Sequence, residues 1–238
     1  MNLSIDDFKE GQLLLIDKPL KWTSFQVVNK LRWLISNTFK IKKIKVGHAG
    51  TLDPLATGLL LICTGKMTKK IEEYQGMPKE YTGTFTVGAT TPSFDMETEI
   101  NQTFPFDHIT EQLIIETTQR FLGEIDQKPP LYSAIKKDGD RLYDLARRGE
   151  TTEIASRKVN IYTFEITEVN LPYISFRIAC SKGTYIRSIA DDFGRALNSG
   201  AYLSALRRTK IGDYSVENAI SPAKFQENLT GIIVENQT

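Results

Sequence analysis

The sequence predicts a mixed α/β (α+β) fold, on three observations. Apolar residues alternate with period two over 81–87 and 174–180, the pattern of half-buried strands. They recur at helical spacing after Thr23 and again after Tyr185. Strand-like and helix-like segments are interspersed without regular βαβ alternation, which implies a mixed sheet with flanking helices.

Taken in order, Gln12-Leu13-Leu14-Leu15-Ile16 reads as a strand ending at Asp17-Lys18-Pro19. Thr23 stands three residues before Gln26, a capping-box signal, and the helix it opens carries Val27, Val28, Leu31, Leu34 and Ile35 on one face. Leu59-Leu60-Leu61-Ile62-Cys63 is an apolar run bounded by glycine and proline, as in a buried strand. Residues 68–75 suggest a short helix. In the strand at 81–87, Tyr81, Phe85 and Val87 share one face and the threonines the other. Residues 90–108 are polar, acidic and irregular, and are expected to form a long surface loop. A modest helix is expected at 109–121. Lys128-Pro129-Pro130 interrupts the chain before a basic helical excursion at 131–149. Strands return over 159–180. A helix from Tyr185 then places Ile186, Ile189, Ala190, Phe193 and Leu197 at core spacing, with its stop at Asn198-Ser199-Gly200.

A chain of 238 residues can bury a substantial core within one large sheet fold. Its apolar and charged fractions, 40% and 25%, are those of globular proteins. No apolar run approaches the roughly 20 residues of a membrane span. Asp6 and Asp7 lie where a signal peptide would carry bases, so a cytoplasmic location is expected. Cys63 and Cys180, with the two histidines His48 and His108, are too isolated for a zinc site, and both cysteines read as small core residues. The net charge of +1 conceals a segregation. Residues 93–126 hold eight acids against Arg120 alone, a net −7 that leaves +8 for the remainder. The bases cluster at Lys40, Lys42, Lys43 and Lys45; at Lys136, Lys137, Arg141, Arg147 and Arg148; and at Arg207, Arg208 and Lys210. Any one such cluster can be a plain solvated face.

The most informative run is Gly47-His48-Ala49-Gly50-Thr51-Leu52-Asp53-Pro54-Leu55-Ala56-Thr57-Gly58. Its glycines and proline describe a constrained loop that presents Asp53 at the edge of the following strand. Pro54 biases Asp53 toward extended backbone. Taken alone, Asp-Pro could equally form a turn through its own side chain or cap a helix starting at Pro54. The whole string, however, resembles the catalytic motif of the tRNA pseudouridine synthase B (TruB) family, and the resemblance extends from Asp17 to about Tyr214.

The resemblance implies the pseudouridine synthase fold, in which a long, mixed, mostly antiparallel sheet with flanking helices carries a central catalytic cleft. It implies one catalytic domain over 1–238 with an RNA-clamping insertion near 129–157. Many relatives add a C-terminal RNA-binding (PUA) domain, whereas the residues from Ser215 to Thr238 are too few for one. The activity implied is isomerisation of uridine 55 in the T-loop of tRNA, after the base is flipped out, with no cofactor and no metal. The partner implied is the tRNA T-arm stem-loop, with no membrane and no obligate protein partner. Under that reading the clustered bases form an RNA-facing side opposite the acidic segment.

By the same resemblance Asp53 is the nucleophile, attacking either C6 of the uracil or C1′ of the ribose. A carboxylate entering an apolar cleft needs a cation, and the matching residue is Arg187. Arg187 lies in the first turn of its helix, where a positive charge opposes the helix dipole, so a partner elsewhere is implied. Tyr81 matches the aromatic that stacks on the flipped uracil, and Tyr185 a second pocket aromatic. Leu206 matches an apolar residue packed on the target base. His48 matches a contact to the RNA loop, while Lys18 with Pro19 matches a motif that buttresses the Asp loop. Lys21 stands where members of the family usually have glycine. Two readings from other classes compete. A non-catalytic RNA-binding protein or tRNA-folding chaperone would tolerate loss of Asp53 or Arg187, and a glycoside hydrolase would need a second carboxylate that no motif supplies.

Overall fold

The computed structural model describes residues 3–133, 135–137, 140–150, 152 and 154–235. The first helix, α1 (Ile5–Glu10), has Ser4 as its cap, in reciprocal hydrogen bonding with Asp7. After β1 (Leu13–Lys18), Thr23 caps α2 (Ser24–Thr38). The Thr23 hydroxyl accepts the Gln26 N–H at 3.0 Å and the Gln26 amide oxygen accepts the Thr23 N–H at 2.7 Å. The capping box is therefore formed, and all five apolar residues assigned to the helix's inner face are buried. Strand β2 (Val46–His48) pairs antiparallel with β3 (Ala56–Thr64), setting His48 opposite Ile62. A 3-10 turn over Gly65–Lys70 leads into α3 (Ile71–Gly76) and then β4 (Lys79–Val87).

The segment expected as a surface loop over 90–108 differs. Strands β5 (Ala89–Thr90) and β6 (Gln102–Thr103) pair, and between them Thr91, Ser93 and Asp95 are buried. Polar composition there reflects internal hydrogen bonding: Thr91 Oγ1 and Ser93 Oγ donate to the Asp95 carbonyl at 2.6 and 3.2 Å. Helix α4 (Glu111–Gln119) follows the cap of Thr110, and then comes β7 (Gly123–Gln127), a strand not anticipated from the sequence. The excursion at 131–149 is helical only in α5 (Leu142–Arg147); ahead of it β8 (Lys136–Lys137) pairs with β9 (Asp140–Arg141). The side chains of Lys136, Lys137, Arg141 and Arg147 lie outside those described. Two long strands, β10 (Arg157–Asn170) and β11 (Tyr173–Cys180), precede α6 (Ile186–Ala196). Asn198 adopts φ +54 just past that helix, the left-handed stop its sequence suggests. The chain closes through β12 (Ala201–Ile211), β13 (Tyr214–Ser215) and α7 (Pro222–Glu235).

These elements divide into two compact units: one runs to Glu80 and resumes at Arg207, and the other is Tyr81–Leu206. In the first unit, β1 pairs antiparallel with β3 from Leu13↔Cys63 to Lys18↔Gly58, and β12 lies on the other side of β3. Nearly every residue of β3 is buried because both faces are covered. Leu60 and Ile62 join a core with Ile16, Val28, Leu31 and Ile35, while Leu59, Leu61 and Cys63 join another with Tyr74, Ile211 and Val216. Helix α7 completes the first core with Phe225 and Leu229. Each such side chain contributes about 1.5–3 kcal/mol of burial.

In the second unit the strands run β12, β4, β11, β10, β7, with β10 antiparallel to both of its neighbours. Its core is a phenylalanine cluster. Phe85 stacks on Phe176 with ring centroids 4.2 Å apart, and Phe121, Phe164 and Phe193 close around them. Among the described residues no helix is long and apolar enough to cross a membrane.

Candidate active site

The loop that presents Asp53 is bonded residue by residue. The capping box fixes Ser24 in the first turn of α2, and Ser24 Oγ then accepts the Leu52 N–H at 2.8 Å and donates to the Leu52 carbonyl at 3.1 Å. The Asp53 carbonyl accepts the Ala56 N–H, and the Pro54 carbonyl accepts the Lys21 N–H at 2.8 Å. Arg208, 1% exposed, donates from Nε to the Leu59 carbonyl at 2.8 Å and from its terminal nitrogens to the carbonyls of Gly50 and Thr51 at 3.2 and 3.4 Å. Gly58 is needed for this contact: at φ +107, a Cβ there would lie 2.3 Å from the Arg208 carbonyl oxygen. Backbone groups from Gly50 to Pro54 are thus held in turn, while Asp53 stays half-exposed. Such preorganisation is what a nucleophile needs if its geometry is to be set before substrate arrives.

Lys18, fully buried, donates to the carbonyls of Pro19 at 3.0 Å and Trp22 at 2.6 Å. Burial pulls its ammonium pKa down to about 8, against the opposing pull of the Asp53 charge. It shapes the turn whose Lys21 N–H grips Pro54. Lys21 itself adopts φ +66, a conformation that disfavours an L side chain by about 1–2 kcal/mol. The departure from glycine at that position therefore leaves the left-handed turn intact. His48, half-buried on β2, has an Nδ1 without a partner in hydrogen-bond geometry. Burial and then the nearby Arg208 charge lower its pKa, with the Gly50 backbone acting in the opposite sense. Neutral imidazole is favoured.

The second unit carries Tyr81, Tyr185, Arg187 and Leu206. Arg187 is 5% exposed despite its place in the first turn of α6. Its guanidinium donates to the carbonyls of Tyr132 at 2.9 Å and Ser93 at 3.3 Å, and its Nε lies 3.5 Å from Asp95 Oδ2. Within this unit the acid beside Arg187 is Asp95. Asp95 is held by its Oδ1, which accepts the Glu97 N–H at 2.9 Å. Tyr81 is 8% exposed on β4, and Leu206 is half-buried on β12. The Tyr185 ring lies under the Arg157 guanidinium at 4.6 Å, a cation–π contact. Its backbone is clasped at both ends by the fully buried Gln127 amide, at 2.8 and 3.0 Å.

Three of these residues escaped the sequence reading. Asp95 and Gln127 sit in segments with no apolar pattern to mark them as buried. By sequence Arg208 groups with Arg207 and Lys210 as an RNA-facing base, and its burial corrects that: its donors go to the carbonyls of Leu59, Gly50 and Thr51. Arg207 forms a two-pronged pair with Asp17 at 3.0 and 2.7 Å. By contrast, Lys40, Lys42, Lys43 and Lys45 are exposed on the approach to β2. Among the described residues, no group of three or more His, Cys, Asp or Glu is placed to hold a metal ion.

Known proteins give this arrangement its setting. The family described as TruB family pseudouridylate synthase (N terminal domain) matches residues 37–186. The tRNA pseudouridine synthase B of Flavobacterium johnsoniae is 68% identical over 225 residues, covering 94% of this chain and 98% of the relative. That of Phocaeicola vulgatus is 58% identical, covering 93% and 94%. Among solved structures, a chain of a Cbf5-Nop10-Gar1 complex superposes with a TM-score of 0.67 at 29% identity, covering 92% of this chain and 54% of that one. A chain of an H/ACA RNP bound to a substrate RNA containing 2′-deoxyuridine gives 0.68 at 26% identity, covering 94% and 55%. The present chain thus spans about half the length of those two. Fold, motif and similarity agree: the chain belongs to the TruB family of pseudouridylate synthases.

Proposed function

We propose that the chain is a tRNA pseudouridine synthase that converts uridine 55 of the T-loop to pseudouridine. The observation that carries the proposal is the Asp53 loop, a family motif whose backbone is bonded on either side of a half-exposed carboxylate. The reaction breaks the N1–C1′ bond, turns the base and joins C5 to C1′, so a proton leaves C5 and one is gained at N1. No electrons are exchanged with a partner. Asp53 is the nucleophile, at C6 or at C1′. Arg187 is assigned as the cation that partners Asp53, with Asp95 steadying the arginine. Tyr81 is assigned to stack on the flipped uracil and to handle the departing proton.

His48 and the exposed lysines ahead of it are assigned to the RNA loop, and Tyr185 and Leu206 to the base pocket. Lys18 is assigned to buttress the catalytic loop through the turn at Pro19. Residues 129–157 are proposed as the clamp on the T-arm stem-loop, within a single catalytic domain over 1–238, and the site of action as the cytoplasm. A uridine stacked in a folded loop shields its glycosidic bond, which is why extrusion precedes chemistry. The test is incubation of unmodified tRNA transcripts with the pure protein, followed by mapping of pseudouridine. One modified T-loop position is expected; transcripts that remain unmodified would refute the proposal.

A further inference from the structure

We infer that Lys21 binds a backbone phosphate of the RNA strand beside the reacting uridine; this rests on the function proposed above. Lys21 holds φ +66, where glycine would sit without strain. A long side chain kept in such a conformation next to a functional loop points to a use for that side chain. Its position is set by the loop itself, because the Lys21 N–H bonds the carbonyl of Pro54, the residue that follows Asp53.

The neighbouring cations are committed elsewhere. Lys18 bonds two carbonyls of its own turn, Arg207 grips Asp17, and Arg208 holds the carbonyls of Gly50, Thr51 and Leu59. Lys21 is exposed, and Leu20 and Phe25 around it are 52% and 60% exposed, so the turn is open to a ligand. An RNA strand that delivers a flipped base to Asp53 brings its own phosphates past this turn. A solvent-facing ammonium suits a phosphate oxygen as a point charge.

The experiment compares the parent with Lys21→Gly and Lys21→Arg, measuring tRNA transcript affinity over a range of potassium chloride together with melting temperature. Glycine fits the backbone, so Lys21→Gly is expected to melt at or above the parent temperature. Its affinity should fall about fivefold near 0.1 M salt, and its slope of log affinity against log salt should shrink by about 0.7–0.9. Lys21→Arg should keep the parent's affinity and slope. Parent-like affinity and slope in Lys21→Gly would overturn the inference, as would an equal loss in both variants. Conversion of transcripts by the parent is scored separately, so failure of the proposed activity is distinguishable from failure at Lys21.

Discussion

Replacing Arg208 with methionine tests whether the Asp53 loop is held from β12. Methionine fills much of the same space without donors. The substitution removes a 2.8 Å bond to the Leu59 carbonyl and longer ones of 3.2 and 3.4 Å to Gly50 and Thr51. A well-formed hydrogen bond from a charged group contributes about 1.5–3 kcal/mol, and the two longer ones less. Relief from desolvating the guanidinium offsets part of that sum, so the net loss is about 3–5 kcal/mol. For a chain of this size each kcal/mol shifts the melting temperature by about 2–4 °C, giving a fall on the order of 10 °C. The loosened Gly50 and Thr51 carbonyls should also let Asp53 wander, and a misplacement of about 1 Å can slow a reaction about a hundredfold. Calorimetry would read the first effect. Single-turnover release of the C5 hydrogen from labelled tRNA, at a temperature where the variant is folded, would read the second. Arg208→Lys keeps the charge but not the fork, and should fall between the two. Melting within about one degree of the parent, or an unaltered single-turnover rate in the folded variant, would refute the reasoning.

Asp53→Asn should keep the fold and tRNA binding while turnover disappears, because the amide preserves shape without nucleophilicity; near-normal single-turnover conversion would remove Asp53 from the chemistry. Tyr81→Phe should bind the target loop normally but turn over slowly, and Tyr81→Leu should lose stacking as well; unchanged turnover in both would take Tyr81 out of the site. Lys18 carries a pKa of about 8 in the folded protein against an ordinary value of 10.5. Between those values the unfolded chain holds a proton that the folded chain has released, so this group's contribution to stability rises with pH from about 8 to 10.5 and is flat below. Subtracting the stability curve of Lys18→Met from that of the parent should isolate this rise, and a difference curve that falls over the same window would contradict the assignment.

Local signals made α2, β3 and β11 legible from sequence, because each carries its own residue pattern. A Thr-x-x-Gln box announces α2, an unbroken apolar run announces a strand covered on both faces, and alternation announces β11. Strand β7 has a weak pattern, with Ile125 the one large apolar residue among Gly123, Glu124, Asp126 and Gln127; its strand state comes from pairing with β10. Helix α7 is likewise stabilised by what it covers, through Phe225 and Leu229. The same division runs through the site. Asp53 was readable because a dozen adjacent residues define its loop. Asp95 was not, because its burial depends on Arg187, ninety-two positions away in the chain.

Arg207 and Arg208 put the distinction most sharply, since composition treats them alike. Successive residues of a strand point to opposite faces, so one of the two could face solvent and the other the interior. Arg208 is the interior one, and a buried guanidinium without carbonyl partners would be strongly destabilising. The Gly50-Thr51 segment supplies those carbonyls because its glycine, at φ +97, turns the backbone toward the arginine. Gly58, for its part, lets the two backbones approach closely enough for the Leu59 bond. The glycines of the motif therefore do more than bend the chain. They admit a distant arginine as the loop's anchor, and from sequence the glycines are visible while the anchor is not.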